Sequence, residues 1–313
     1  MSGASPAAVP ISRFAPTASG RAHPGTLLAG LLAWLDARSS GARFVLRIED
    51  LDPDRCSRAL GEALIADLRW FGLEWDALEW QSEHGDRHAA ALDRLAALGV
   101  LYPCALSRSE LRRLGRQAAD GSWMSDGRHR GAPLPPGGWR TCDQPLRVVM
   151  PESVVSPASD DETPLAQNPA QAMGDPVVRR RDGVVSYHLA CVVDDAAAGV
   201  TRIVRGRDLA PATATQQHLR ELLGLPHPVH RHHLLVLEPH GGKLAKSHGA
   251  IHAGQLAERM TAAQLCGRLA LACGLAGEAE PVAPQALLPG FSWDRVRRQD
   301  VVLDVTMRPM SSA

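Results

Sequence analysis

The chain alternates short apolar runs with longer stretches in which apolar residues recur every three or four positions. Residues 11–17, ISRFAPT, read as a short strand entering a proline turn, and the almost wholly apolar Leu27–Ala37 reads as a buried helix. Arg43–Ile48 reads as a second strand and ends in Glu49-Asp50. Leu60, Leu64, Ile65, Leu68 and Phe71 keep helical spacing up to a stop at Gly72, and another helix over about 85–98 stops at Gly99. Strands and helices alternating at this interval predict βαβ units around a parallel sheet. Functional loops then lie beyond the carboxyl ends of the strands, where Ala15-Pro16-Thr17 and Glu49-Asp50 stand.

After Tyr102 the pattern changes. Ser107-Arg108-Ser109-Glu110 is a capping-box sequence for one short helix. Residues 115–145 are rich in Gly, Pro, Arg and Trp, and 151–176 are Ser-, Pro- and Asp-rich without period, as in a loop or partly disordered segment. Arg181-Asp182-Gly183 reads as a hairpin turn, and Val184–Val193 and Thr201–Val204 are apolar enough for central strands. Pro211–Leu223 reads as a helix closed by Gly224, and His230–Leu237 as a strand. The expected division is a Rossmann-like α/β domain from 1–103 and 186–247, an α+β insertion at 104–185, and a helical C-terminal extension at 248–313.

With 313 residues, 45% of them apolar, the chain can bury a sizeable core, and no apolar run is long enough to cross a bilayer. The first ten residues carry no basic residue and no apolar stretch, so a cytoplasmic enzyme without a secretory signal is expected. The 34 basic and 34 acidic residues cancel, which argues against a protein that coats nucleic acid non-specifically but leaves room for a local basic face. Six scattered cysteines without a C-x-x-C spacing read as reduced buried thiols.

Two segments carry candidate phosphate chemistry. His23-Pro24-Gly25-Thr26 precedes the helix at Leu27, where free N–H groups and a partial positive charge suit a phosphate. Lys243-Leu244-Ala245-Lys246-Ser247 follows Gly241-Gly242, and two ammonium groups with a hydroxyl can close over a triphosphate. Arg13 offers a planar fork for a carboxylate, and Glu49 can accept an ammonium group. Taken singly, each has a plainer reading as a turn, a surface ion pair or a solvated loop.

The joint order is more specific. Arg13-Phe14-Ala15-Pro16-Thr17, His23-Pro24-Gly25-Thr26, Arg47-Ile48-Glu49-Asp50-Leu51-Asp52, Val204-Arg205-Gly206-Arg207-Asp208-Leu209 and Lys243–Ser247 follow one another along the chain. This resembles the class I glutamyl-tRNA synthetases, whose signatures are written HIGH and KMSKS. With 66 residues after Ser247, the chain is most similar to their truncated relatives, the glutamyl-Q tRNA(Asp) synthetases. The resemblance implies a class I Rossmann-like parallel sheet. It implies ATP with Mg²⁺, held by His23, Gly25, Thr26, Lys243, Lys246 and Ser247, with His23 and Lys246 catalytic. It implies L-glutamate bound by Arg13, Phe14, Ala15, Pro16, Thr17, Glu49, Tyr187 and Arg205. The second substrate is then the anticodon stem-loop of tRNA(Asp) carrying queuosine, acted on by a monomer with no membrane partner.

Two alternatives stay open. One is a synthetase core that charges tRNA(Glu); the other is a silent tRNA-binding paralogue. The chain also departs from the pattern. Relatives often carry a zinc site of C-x-C followed by Y-x-x-x-C. Here Leu106 stands in the first half and Ser125–His129 in the second, leaving Cys104 and His129 as remnants, so no zinc is expected. Cys142 could rescue the set but lacks a recognisable spacing. The His230-Arg231-His232-His233 cluster is not expected to converge, its rings flanking the nucleotide cleft or facing solvent. Ala18 stands where relatives often have proline. Arg128, Arg130 and Arg140 are candidate RNA phosphate contacts.

Overall fold

The computed structural model describes residues 9–237 and 251–303. The phosphate candidates Lys243, Lys246 and Ser247 lie outside the described residues. By internal packing the chain forms two units. One takes 9–79, 204–207, 233–237 and 251–303; the other takes Trp80–Ile203 with Asp208–His232. This division falls elsewhere than the three-part expectation, because residues 80–103 and most of 186–232 pack with the insertion.

The first unit opens with β1 (Ile11–Phe14), α1 (Pro24–Ser39), β2 (Arg43–Ile48) and α2 (Arg58–Trp70), then enters β3 (Ala77–Trp80). β1 and β2 pair in parallel with Ile11 opposite Arg43 and Phe14 opposite Leu46, as the βαβ reading requires. Helix α1 is buried on nearly every side: Leu27, Leu28, Leu31, Leu32, Ala33 and Leu35 are at most 1% exposed. A helix apolar all round must be covered all round. The sheet strands cover one side, and the C-terminal residues supply more cover, with Trp293 Nε1 donating to Asp36 Oδ1 at 2.7 Å.

The second unit contains α3 (Gly85–Ala97), β4 (Leu101–Pro103), α4 (Arg108–Leu114), β5 (Leu146–Val148), α5 (Pro169–Ala172), β6 (Val177–Arg179) and α6 (Tyr187–Ala197). β4, β5 and β6 form an antiparallel sheet. Its core gathers Leu92, Leu95, Leu146, Val148, Val178, Leu189, Val192, Leu219 and Leu223. The capping box at Ser107 and Glu110 is present, and Gly183 (φ 90°) makes the expected turn. Residues 184–193 are not a central strand. The run becomes helix α6, buried along Leu189–Asp195, because an apolar run without a period fits a buried helix as well as a buried strand.

β7 (Arg202–Gly206), α7 (Thr213–Leu223), β8 (Val229–His233) and β9 (Val236–Leu237) follow, then α8 (Ala253–Ala257), α9 (Ala262–Cys273), α10 (Pro284–Leu287) and β10 (Val301–Val302). The five-stranded sheet has the order β3-β2-β1-β7-β8. The segment after residue 250 is therefore not wholly helical, since β10 pairs in parallel with β9. Residues 151–176 are a loop broken by the one-turn helix α5 and fastened by bridges, Val155 to Gln167 and Ser159 to His230, and by Asp160, which binds Arg202 and Arg231. All six cysteines are buried and none forms a disulfide; burial pushes the Cys266 thiol up to about 12. Among the described residues, no helix is long and apolar enough to cross a membrane.

Candidate active site

The strand ends bring the first group of expected substrate residues together. The turn after β1 is laced to the residue after β2: Glu49 N–H donates to Pro16 O at 3.1 Å, and Ala18 N–H donates to Glu49 O at 2.9 Å. Thr17 Oγ1 adds a bond to Glu49 Oε2 at 3.3 Å. Ala15, Pro16, Thr17 and Glu49 thus form one edge. A proline at position 18 would lack the N–H that this chain uses to fix Glu49. Arg13 and Arg205 are 5% and 6% exposed on the neighbouring strands β1 and β7, each one residue before its strand's last. Phe14, 9% exposed, packs in the core against Gly30 of α1.

His23 is the N-cap of α1. Its Nδ1 accepts the N–H of Thr26 at 3.3 Å, and Pro24 fills the first helical position, where a missing N–H costs nothing. With Nδ1 accepting, the neutral ring carries its proton on Nε2, so that nitrogen is a donor at a helix N-terminus. Gly25 leaves room for this ring: a Cβ there would crowd it, 3.0 Å from His23 Cε1 and 3.1 Å from Nδ1.

The residues just before His23 are held by a carboxylate absent from the sequence expectations. Asp67 of α2, 2% exposed, receives the Arg21 guanidinium in a fork, with Nε at 2.8 Å from Oδ2 and Nη2 at 2.5 Å from Oδ1. It also accepts the N–H of Ala22 at 2.8 Å. The available signal was an acid at position 67, three residues after Leu64 and next to Leu68, on the apolar face of its helix.

The flanks of the lysine segment meet this same turn. Val236 of β9 lies on the upstream side, its Cβ 3.7 Å from where a Gly25 Cβ would be. On the downstream side, Ala253 N–H donates to Ala22 O at 2.7 Å. Asp300 braces the upstream flank, accepting Leu235 N–H at 2.8 Å and approaching Arg207 Nε at 3.4 Å.

Other expected residues lie in the second unit. Tyr187 is the first residue of α6, not a strand residue, and is half-buried with its ring 5.6 Å from His188. The histidine cluster corrects the expectation drawn from strand alternation. His230 and His232 share a face, stack at 6.2 Å between centroids and are 2% and 8% exposed; neither faces solvent. Two residues apart on a strand is the spacing that puts side chains together.

The residues at the zinc position do not fit a structural zinc. Cys104 Sγ and His129 Nδ1 lie 3.7 Å apart in contact with each other, and Cys142 Sγ donates instead to Gln144 O. A closed structural site needs four nitrogen or sulfur ligands, and the remnants supply two. Nearby, Asp175 accepts the Arg130 fork (2.6 and 2.7 Å), Tyr102 O–H (2.6 Å) and Met150 N–H (2.9 Å). Burial and this carboxylate push the Tyr102 phenol well above its ordinary value.

Comparison with known proteins agrees with this geometry. The family described as tRNA synthetases class I (E and Q), catalytic domain, matches residues 11–262. The glutamyl-Q tRNA(Asp) synthetase of Symbiobacterium thermophilum is 41% identical, with 92% of this chain and 94% of that protein covered. The protein of the same name from Nitratidesulfovibrio vulgaris is 38% identical over 87% and 89% of the two chains. A glutamate tRNA ligase from Elizabethkingia meningosepticum, solved with its amino acid, shares the fold. Its TM-score is 0.77 at 22% identity, over 95% of this chain and 67% of that one. With its histidine turn, its buried arginines near the ends of neighbouring strands and relatives matched nearly end to end, the chain belongs to the glutamyl-Q tRNA(Asp) synthetase family of class I synthetase catalytic domains.

Proposed function

We infer that the protein activates L-glutamate with ATP and transfers the glutamyl group to queuosine at the wobble position of tRNA(Asp). One observation carries this reading: both flanks of the lysine segment are tied to residues 22–25, the turn that presents His23. A second supports it from the sequence. Only two of the 34 basic residues are lysines, and they are Lys243 and Lys246. A chain that uses arginine at every other basic position keeps a compact ammonium only there, which suits close contact with a phosphate in motion.

In this reading Arg13 and Arg205 hold the carboxylates of glutamate and Glu49 its ammonium. ATP lies along the N-terminus of α1. A glutamate carboxylate oxygen forms a bond to the α-phosphorus, the bond to the bridging oxygen breaks, and pyrophosphate leaves. His23 Nε2–H and Lys246 stabilise the charge that develops on the phosphoryl oxygens. Mg²⁺ enters as part of the nucleotide substrate and neutralises triphosphate charge. A queuosine hydroxyl then attacks the carbonyl carbon of the mixed anhydride and releases AMP. Positioning and electrostatics suffice, without a protein nucleophile.

The test is incubation with ATP, labelled glutamate and unfractionated tRNA. Label should appear on tRNA(Asp), persist when the 3′ terminus is blocked, and disappear when the queuosine diol is oxidised by periodate. Label on tRNA(Glu) at the 3′ end would replace this reading with acceptor charging. Absence of glutamate-dependent pyrophosphate exchange would replace it with a binding role.

A further inference from the structure

Seven of the insertion's arginines fall into two groups. Arg128, Arg130 and Arg140, the candidates suggested by sequence, are each committed to a carboxylate: Asp126 at 2.5 Å, Asp175 at 2.6 Å and Asp93 at 2.5 Å. Arg108, Arg112, Arg113 and Arg116, on α4 and just past its Gly115 cap, are all exposed. Among the described residues, none of these four side chains forms an ion pair or hydrogen bond. The one acid of this stretch, Glu110, closes the capping box, accepting Ser107 N–H at 2.8 Å and Ser107 Oγ at 2.6 Å. Residues 107–117 therefore carry four positive charges and one negative in a chain whose total is zero.

This arrangement is costly in isolation. Arg108 and Arg112 stand one turn apart, where like charges repel. Leu111 is the single buried residue of the helix, so the charged face turns outward. An anionic partner removes the cost. An anionic membrane fits poorly, because an interfacial helix needs an exposed apolar face, and no large hydrophobic residue of α4 is exposed. Guanidinium forks match phosphate oxygens two at a time.

We propose that α4 and Arg116 form a docking surface for the sugar–phosphate backbone of RNA. Resting on the reading above, this surface seats the tRNA substrate for the transfer step and takes no part in adenylate formation. It contacts phosphates and reads no sequence, so its contribution is salt-sensitive and uniform across tRNA species.

The test uses the full chain with R112Q, R113Q and R116Q combined, beside R140Q as a control already paired in the fold. tRNA binding is measured against salt concentration, and glutamate-dependent ATP–pyrophosphate exchange is measured without tRNA. The triple variant should keep wild-type exchange and weaken tRNA binding at least tenfold. Its dependence of log K on log salt should flatten by about 2 to 3. R140Q should change neither. Wild-type binding and slope in the folded triple variant overturn the surface, as does equal weakening by R140Q. So does retained tRNA binding combined with lost binding to phosphatidylserine vesicles. If the triple variant does not fold, R113Q and R116Q singly carry the same measurement, each flattening the slope by about 1. A wild-type protein that binds tRNA but shows no exchange refutes the catalytic reading and leaves the α4 result to stand or fall by its own slope.

Discussion

Asp67 grips Arg21 through a two-pronged contact and, with its second oxygen, takes the N–H of Ala22, one residue ahead of the histidine that caps α1. The carboxylate is almost fully buried while Arg21 is 39% exposed, so the pair's worth lies in placing the turn more than in its charge attraction. D67A should destabilise the protein by about 2 kcal/mol, the scale of hydrogen bonds to a charged group. It should also lower pyrophosphate exchange measured well below the shifted melting temperature. Unaltered exchange in a folded D67A protein would remove Asp67 from the site's support.

Gly25 separates activity from stability. In G25A the new methyl group meets the His23 ring at 3.0 Å, and the ring has to turn away. Alanine is the better helix former by up to about 1 kcal/mol. The expected protein melts no lower than wild type yet loses about tenfold or more in exchange rate. A scanning calorimeter and an exchange assay on the same preparation decide it.

Lys246 should tolerate neither alanine nor arginine. K246A should keep glutamate binding and lose about 100-fold or more in adenylate formation, the usual cost of one donor aimed at developing charge. K246R should recover only part of that, since a flat, wide fork replaces a compact ammonium. Full recovery in K246R would mean that charge alone is required and that the scarcity of lysine has another origin.

Acid sensitivity has a traceable component at the surface of the second unit. Arg140, with the Trp139 indole, holds the Asp93 carboxyl at about 2, below its ordinary value near 4. A depressed folded value favours the native state above the unfolded value. That contribution is whole at neutral pH and fades as pH falls from about 4 to about 2. Carboxyl NMR in R140A should find Asp93 titrating near its ordinary value, with the stability difference between variant and wild type vanishing below about pH 2.

Metal removal should leave the insertion intact. Its two remaining zinc-type donors touch each other, while the neighbouring Asp175 gathers Arg130, Tyr102 and Met150 N–H. Prolonged dialysis against a chelator should not shift the melting temperature. D175A should lower stability by about 3 kcal/mol, because buried donors lose their acceptor. A chelator-dependent melting shift would put a metal back in this unit.

The first βαβ repeat was legible because its signals are local: the histidine–proline start of α1, the alternating strands and the glycine stops. Residues 187–197 misled because Leu189–Val193 is apolar at every position and buried on all sides, so it shows neither period. The loop at 151–176 looked shapeless because its fastenings are distant, with Asp160 held by arginines 42 and 71 residues away. The strand ends that carry Arg13, Glu49 and Arg205 were legible as motifs. Asp67 was not, because nothing local marks a helical acid as the anchor of a turn 45 residues earlier. The paired histidines of β8 were misread by applying alternation to the cluster as a whole instead of to His230 and His232.

Val301 lies beside Val236, its partner 65 positions earlier in the chain. During synthesis, the strand that enters the lysine segment emerges from the ribosome well before the strand that will flank it. Glutamate activation should therefore appear late in a series of C-terminally shortened chains, only once β10 is present beside β9.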